Sequence, residues 1–323
     1  MRLKWLGFAA AGLALAGCAT TLDTDSALVS APFAIDASGR IIVRLSINDS
    51  APRPFIVDTA ASICALYAPF HDRLGVAAGG DEITVHGFAA TRQRPSLHVV
   101  SVTLGAVQWR DVNMVSLPAP SAERSLPDPP VGILGNDLLA DYGVAFSLRD
   151  GMVRLYAPEL MRQRHYAGWA NIPLTTGTPG TPAASVFFVD ISIAGKSARA
   201  IFDLGSAVNI VNWQAADDVG LSLRDYPALR RAPVGGALDQ TPSLPRFVAA
   251  HVATGPVEWR EEVFSIADLA IFDTLALGDQ PAALLGAPLF AQRDFVIDLA
   301  GRRLLVRTRG AEQEVTPTPP GDP

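Results

Sequence analysis

Phe55-Ile56-Val57-Asp58-Thr59-Ala60-Ala61-Ser62 and Ala200-Ile201-Phe202-Asp203-Leu204-Gly205-Ser206 are two versions of one phrase: an apolar run, an acid, then small residues. Each is followed, within its own half of the 323-residue chain, by an apolar-apolar-glycine triplet. The first triplet lies in Gly132-Ile133-Leu134-Gly135-Asn136-Asp137-Leu138-Leu139, the second in Ala283-Leu284-Leu285-Gly286-Ala287-Pro288-Leu289-Phe290. One acid per half is what a two-fold pair of carboxylates needs, so the repetition points to chemistry as well as to fold.

The repeat reaches outward from the acids. Upstream, Val43-Arg44-Leu45-Ser46-Ile47 and Val189-Asp190-Ile191-Ser192-Ile193 alternate apolar and polar residues, the period of a half-buried strand. Asn48-Asp49-Ser50 and Ala194-Gly195-Lys196-Ser197 supply turn residues, so each half is expected to begin as a hairpin whose second strand delivers the acid. Downstream, Gly105-Ala106-Val107-Gln108-Trp109-Arg110 answers Gly255-Pro256-Val257-Glu258-Trp259-Arg260. The halves end alike, in Gly143-Val144-Ala145-Phe146 through Gly151 and in Asp294-Phe295-Val296-Ile297 through Gly301. A duplicated domain follows. Helical periodicity is scarce, and short strands with Gly and Pro punctuation predict an all-β protein.

At these residues the chain resembles the aspartic protease superfamily, in which pepsin-like members carry two lobes and retropepsin-like members pair two subunits. The superfamily pattern is an Asp-Thr/Ser-Gly-Ala/Ser loop and a hydrophobic-hydrophobic-Gly strand crossing behind it, once per lobe. Asp58-Thr59, Asp203 with Gly205-Ser206, Ile133-Leu134-Gly135 and Leu284-Leu285-Gly286 carry the likeness. It extends over residues 37 to 309, and its local flavour is closer to retropepsin-like bacterial proteins. The resemblance implies a bilobal, pepsin-like acid-protease fold with its cleft between the lobes. Two departures stand out: Ala60 replaces the glycine of the first loop, and Leu204 replaces the threonine of the second. In the superfamily that hydroxyl bonds across to the opposite loop, and one such bond is worth about 0.5–1.5 kcal/mol. Ala60 is costly only where positive φ or close approach is required.

By the same resemblance Asp58 and Asp203 are the catalytic acids, with Thr59, Ser62, Gly205 and Ser206 supporting them. Carboxylates about 3 Å apart cannot both ionise, so they share a proton. The ionised member draws a proton from a water that attacks a peptide carbonyl, and the protonated member steadies the oxyanion. Ser62 and Ser206 are candidates to bond the outer carboxylate oxygens, although Ser62 sits one position later relative to its acid. A flap is expected in Ile83-Thr84-Val85-His86-Gly87-Phe88-Ala89, with substrate contacts from His86, Gly87 and Phe88. Its counterpart lies around Gly235 and Gly236. No cofactor or metal is implied, and the partner is a polypeptide substrate.

Other chemistries find little support. Gly195-Lys196-Ser197 looks like the end of a phosphate loop, but Asp190 stands where its leading glycine belongs,. There is no Gly-x-Ser-x-Gly elbow. His71, His86, His98, His165 and His251 are scattered without metal-ligand spacing,. The net charge of −6 is spread without a basic cluster, which excludes nucleic acid as an expected partner,. At 49% hydrophobic and 18% charged residues, the chain is expected to bury a full core,.

Arg2 and Lys4, the apolar stretch Trp5 to Ala16, and Leu15-Ala16-Gly17-Cys18 resemble a bacterial lipoprotein leader and cleavage box,. Cys18 is then the lipidated first residue, which anchors the protein in the cell envelope. Ala19 after it favours the outer membrane, facing the periplasm. The expected organisation is a leader at 1–17, a tether at 18–36, lobes at 37–160 and 184–309, a connection at 161–183, and a disordered tail at 310–323. The protein is expected to be a monomer with an internal pseudo-two-fold. Cys64 is left as a small buried thiol,. Two function classes stay open: an aspartic endopeptidase, or a catalytically silent peptide-binding or scaffolding lipoprotein whose loops have drifted.

Overall fold

A computed structural model describes residues 26–87, 91–120, 126–163, 166, 168–222, 229–233 and 243–308. The fold is all-β and bilobal, with a few short helices. Cys18, Phe88, Gly235 and Gly236 lie outside the described residues.

Both predicted hairpins form. Ile41–Ile47 pairs antiparallel with Arg53–Val57, and Phe187–Ile193 with Lys196–Asp203. Each turn needs left-handed backbone, supplied by Asn48 and Asp49 (φ 48° and 62°) and by Ala194 and Gly195 (φ 49° and 83°). Two consecutive positive-φ residues match the right-handed twist of the strands they join. Alternation fixes which face is buried: Ile41, Val43, Leu45 and Ile47 are buried, while Ile42, Arg44 and Ser46 are not.

The crossing strands then lie beside the acid-bearing ones. Gly132–Leu134 runs parallel to Arg53–Val57, with Val57 opposite Leu134. Ala282–Gly286 runs parallel to Lys196–Asp203, with Asp203 opposite Gly286. On the far side of each crossing strand sits a short antiparallel strand, Ala65–Tyr67 or Asn209–Val211. The acid therefore leaves its strand at the same point in both lobes. Gly132 is required by close approach, since a Cβ there would stand 2.2 Å from the Ala65 carbonyl oxygen.

A long hairpin completes each lobe: Thr91–Leu104 with Val107–Leu117, and Ser243–Thr254 with Val257–Ile266. Both ladders break at the same point, where Asp111 and Glu261 adopt φ of 53° and 56°. This shared irregularity, two residues after Trp109 and Trp259, is a mark of duplication that the side-chain pattern does not reveal. Trp259 is buried; Trp109 is half-buried, edge-on to Tyr142 at 5.9 Å.

Between the lobes runs a continuous set of strands, in the order Trp169–Pro173, Arg303–Arg307, Phe295–Asp298, Gly143–Ser147, Met152–Tyr156 and Val29–Ile35. The two lobes meet where Ala145 pairs with Val296. Two expectations are corrected here. The tether expected at 18–36 is a strand from Val29 onward, pairing with Met152–Tyr156 and with Ile41–Ile47. The connection expected at 161–183 contributes the strand Trp169–Pro173 to this inter-lobe set. Aromatic rings carry packing from it toward the acids: Phe33–Phe146, Phe146–Phe295, Phe295–Phe290 and Phe290–Phe202, at 5.5, 4.9, 6.2 and 5.0 Å. Such pairs add about 0.5–1.5 kcal/mol each beyond their buried area. Phe202 immediately precedes Asp203, so the core of the molecule backs directly onto that acid.

Candidate active site

Asp58 and Asp203, one from each lobe and 145 positions apart in the chain, come into hydrogen-bond contact at the lobe junction. Both are half-buried. Their loops hold them identically. Asp58 Oδ1 accepts from the Ala60 and Ala61 amides at 2.8 and 2.9 Å. Asp203 Oδ1 accepts from the Gly205 and Ser206 amides at 2.9 and 3.2 Å. One oxygen of each acid is thus occupied by main chain, and the other is left to face the partner acid.

Electrostatics separates the two acids. Burial pushes the Asp58 carboxyl above its ordinary value of 3.8, opposed by the two amides and by a hydrogen bond received from Asp203. Burial pushes Asp203 well above the same value, and the charge of Asp58 adds to it. The pair titrates as a unit. Its singly protonated form shares one proton between the two carboxyls,. This is the arrangement that water activation requires.

Thr59 ties the loops together. Its buried hydroxyl donates to the Phe202 carbonyl at 2.8 Å and accepts from the Leu204 amide at 3.0 Å. The reverse bond is missing, because Leu204 points a buried apolar side chain into the core instead. Gly205 matters for space: a Cβ there would stand 2.3 Å from Asp58 Oδ2. Neither Ala60 nor Gly205 has positive φ, so the superfamily glycine at this position answers to close approach. The Ala60 methyl finds room against the second lobe's apolar cluster of Phe188, Ile201, Ile210 and Leu284.

The two serines are corrected. Ser206 supports its acid through its amide, while its hydroxyl donates to the Val208 carbonyl at 2.9 Å. Ser62 is exposed and bonds neither carboxylate. The flap hairpin is described up to its tip, Ala78–His86 pairing with Thr91–Leu104. His86 is exposed with Nδ1 3.1 Å from Thr91 Oγ1, and Gly87 follows it at the edge of the described segment. Ile83 and Val85 pack with Ala61 and Ile63 against Tyr67, Leu117 and Ile133. The second-lobe counterpart is described only as Arg230–Pro233 paired with Ser243–Thr254. Among the described residues no group of His, Cys, Asp and Glu could hold a metal. A surface depression lined by Asp190, Arg199 and Gln280 includes neither acid.

Three residues behind the acids have no site role in the sequence-based reading. Asn136 is buried and donates to the Thr59 carbonyl at 2.6 Å. Asn209 accepts from the Gly286 amide at 2.9 Å, and Cys64 from the Gly135 amide at 3.2 Å. Cys64 and Asn209 carried a local signal, each a polar or polarisable residue inside an otherwise apolar run, and Asn136 directly follows the crossing glycine Gly135.

Residues 43–138 match the family model of aspartyl proteases. That span holds the first acid, its hairpin and its crossing strand, and the second lobe repeats each of them. Over that span the chain is similar to the aspartyl proteases. A crystal structure of basic 7S globulin from soybean resembles it at 13% identity and a TM-score of 0.49, over 86% of this chain and 94% of that one. No curated protein matches the sequence. Within the superfamily pattern, this chain keeps both acids and both crossing glycines while each loop has lost a different residue.

Proposed function

We propose that this protein is an aspartic endopeptidase of the bacterial cell envelope. In this reading Asp58 draws a proton from a water held between the acids, and that water attacks the peptide carbonyl. Asp203 donates its proton to the developing oxyanion. Asp58 then gives the proton taken from water to the leaving amine, and as the C–N bond breaks the gem-diol hydroxyl returns a proton to Asp203. The observation that carries the reading is the contact between two carboxyl groups, one per lobe, each held by two amides of its own loop. A cleft meant only for binding has little reason to keep two mutually repelling acids.

The test compares wild type, Asp58→Asn and Asp203→Asn, as the domain after Cys18, on a diverse peptide pool from acidic to neutral pH. Cleavage is expected on the acid side, where the shared-proton form exists, and is expected to vanish in both variants while thermal melts show them folded. A second reading, a catalytically silent peptide-binding or scaffolding lipoprotein, draws on Ala60 and on Leu204, which leaves only one of the two cross-lobe hydroxyls. Absence of cleavage by wild type at every pH, or equal cleavage by all three proteins, would overturn the dyad reading and move the assignment toward the binding module.

The envelope assignment rests on the leader and on Cys18, with a lipid anchor in the outer membrane facing the periplasm and no resident cofactor. Among the described residues no helix is long and apolar enough to cross a membrane. Metabolic labelling with a fatty-acid probe is expected to mark wild type and to miss Cys18→Ser. Equal labelling of both would remove the anchor from the reading.

A further inference from the structure

The two acid loops are tied to their crossing strands by matched relays of hydrogen bonds. In the first lobe, the Gly135 amide donates to Cys64 Sγ at 3.2 Å and the next amide, of Asn136, to the Ala61 carbonyl at 2.8 Å. The Ala61 amide in turn donates to Asp58 Oδ1. In the second lobe, the Gly286 amide donates to Asn209 Oδ1 at 2.9 Å and the Ala287 amide to the Ser206 carbonyl at 2.9 Å. The Ser206 amide donates to Asp203 Oδ1. Each member of one relay has its equivalent in the other, and Cys64 and Asn209 stand six residues after their respective acids. The glycines make the tight fit possible. A Cβ on Gly135 would stand 2.9 Å from the Ala61 carbonyl oxygen, and one on Gly286 2.7 Å from that of Ser206.

We propose that Cys64 and Asn209 are paired positioning residues, each receiving the amide of the glycine that ends the crossing strand and thereby setting the height of its lobe's acid. The two solutions differ in what lies beyond. Asn209 is held by its own amide nitrogen, which donates to the Val263 carbonyl at 3.4 Å in the long hairpin. Cys64 donates its S–H outward to Asp137 Oδ1 at 3.0 Å. Burial, with the Asp137 charge beside it, keeps the thiol protonated and so able to donate. A thiol is a weaker acceptor than an amide oxygen, so the first relay depends on Asp137 to orient Cys64. Neither residue touches the reacting atoms, and both act through Ala61 or Ser206 on the carboxylates.

The experiment uses the full chain and compares wild type with Cys64→Ala, Cys64→Ser, Asn209→Ala and Asn209→Cys. Hydrogen exchange read by mass spectrometry is expected to rise in segments 58–64 and 132–137 of Cys64→Ala while segments 203–209 and 282–287 stay protected. Asn209→Ala is expected to show the mirror image. Cys64→Ser keeps both a donor and an acceptor and is expected to match wild type, and Asn209→Cys keeps an acceptor should Asn209→Ala fail to fold. The kinetic arm rests on the endopeptidase reading. There, Cys64→Ala is expected to lower kcat about ten- to a hundredfold, as a small misplacement of catalytic groups does. KM should hold, because substrate contacts are untouched, and Cys64→Ser should restore kcat. Unchanged exchange in segments 58–64 and 132–137 of Cys64→Ala would overturn the proposal, as would a uniform rise across both lobes. A wild type that cleaves nothing would end the protease reading alone, since the exchange measurements still decide this one.

Discussion

Asp58-Thr59-Ala60-Ala61 in the first lobe and Asp203-Leu204-Gly205-Ser206 in the second hold their acids with the same pair of amides, yet they grip each other unequally. Thr59 reaches across to two main-chain groups of the second loop, and Asp58 lies against the bare α-carbon of Gly205. Both retained superfamily residues therefore serve the first loop's approach to the second. Both lost ones, the second threonine and the first glycine, would have served the opposite approach. The difference teaches that the two drifts are related. A loop that no longer receives a hydroxyl from its partner is also the loop that can accommodate a methyl at Ala60.

The sharpest way to break this comparison is at Gly205. A methyl there cannot coexist with Asp58 Oδ2 at 2.3 Å, so Gly205→Ala must displace the acid or the loop. A misplacement near 1 Å costs about a hundredfold in rate, and peptide cleavage by Gly205→Ala is expected to fall at least that far. Ala60→Gly is the matched control, and steady-state kinetics of the two variants side by side provide the check. Equal losses in both would mean that the loops are interchangeable.

Thr59→Val comes next. It keeps shape but leaves the Phe202 carbonyl and the Leu204 amide without their buried partner. Each unsatisfied buried group costs about 1–3 kcal/mol, which a chain of this size registers as roughly 2–4 °C of melting temperature per kcal/mol. Thermal melts should drop by several degrees. A melt unchanged from wild type would show that the surviving grip contributes nothing to holding the lobes together.

The dyad itself makes a pH-dependent contribution of known sign. Asp203 has a folded pKa raised above its ordinary value of 3.8, so its contribution to stability is whole below that value and is lost as pH rises through the raised one,. Asp203→Asn removes that loss. It is expected to melt above wild type near neutral pH, with the gap closing as pH falls below about 3.8. Melts taken across acid to neutral pH check this, and a gap of the same size at every pH would deny that the two acids share a proton. The smallest effect belongs to Ala60→Gly. It should cost about 0.4–1 kcal/mol by loosening the unfolded chain, and denaturant titration can resolve it. A gain in stability would mean that the methyl is strained against the second lobe.

Much of the site could be read from the chain before any coordinates. Alternation in Val43–Ile47 and Val189–Ile193 gives the hairpins, because a strand with one buried face repeats every two residues. The acids and the crossing glycines were legible because each sits in a short segment whose residue types have few other uses. Ser206 was legible as a supporter of Asp203 but not as a supporter through its amide, since a hydroxyl's direction depends on a rotamer that sequence does not state. Ser62 was misplaced for the same reason. The strand Val29–Ile35 was hidden inside an apparent tether, because its partners Met152–Tyr156 lie more than a hundred residues away.

By itself, then, the sequence determined the duplication, the all-β class, the two acids and the strands that deliver them, all of which follow from local periodicity and from repetition. Only the tertiary structure decided that Thr59 grips one loop without a returning grip, that Gly205 is needed for space rather than for φ, and that Cys64 and Asn209 occupy equivalent places behind the acids. These are contacts between segments 71 to 145 positions apart. No local pattern records which main-chain amide a buried side chain will meet once two lobes close on each other.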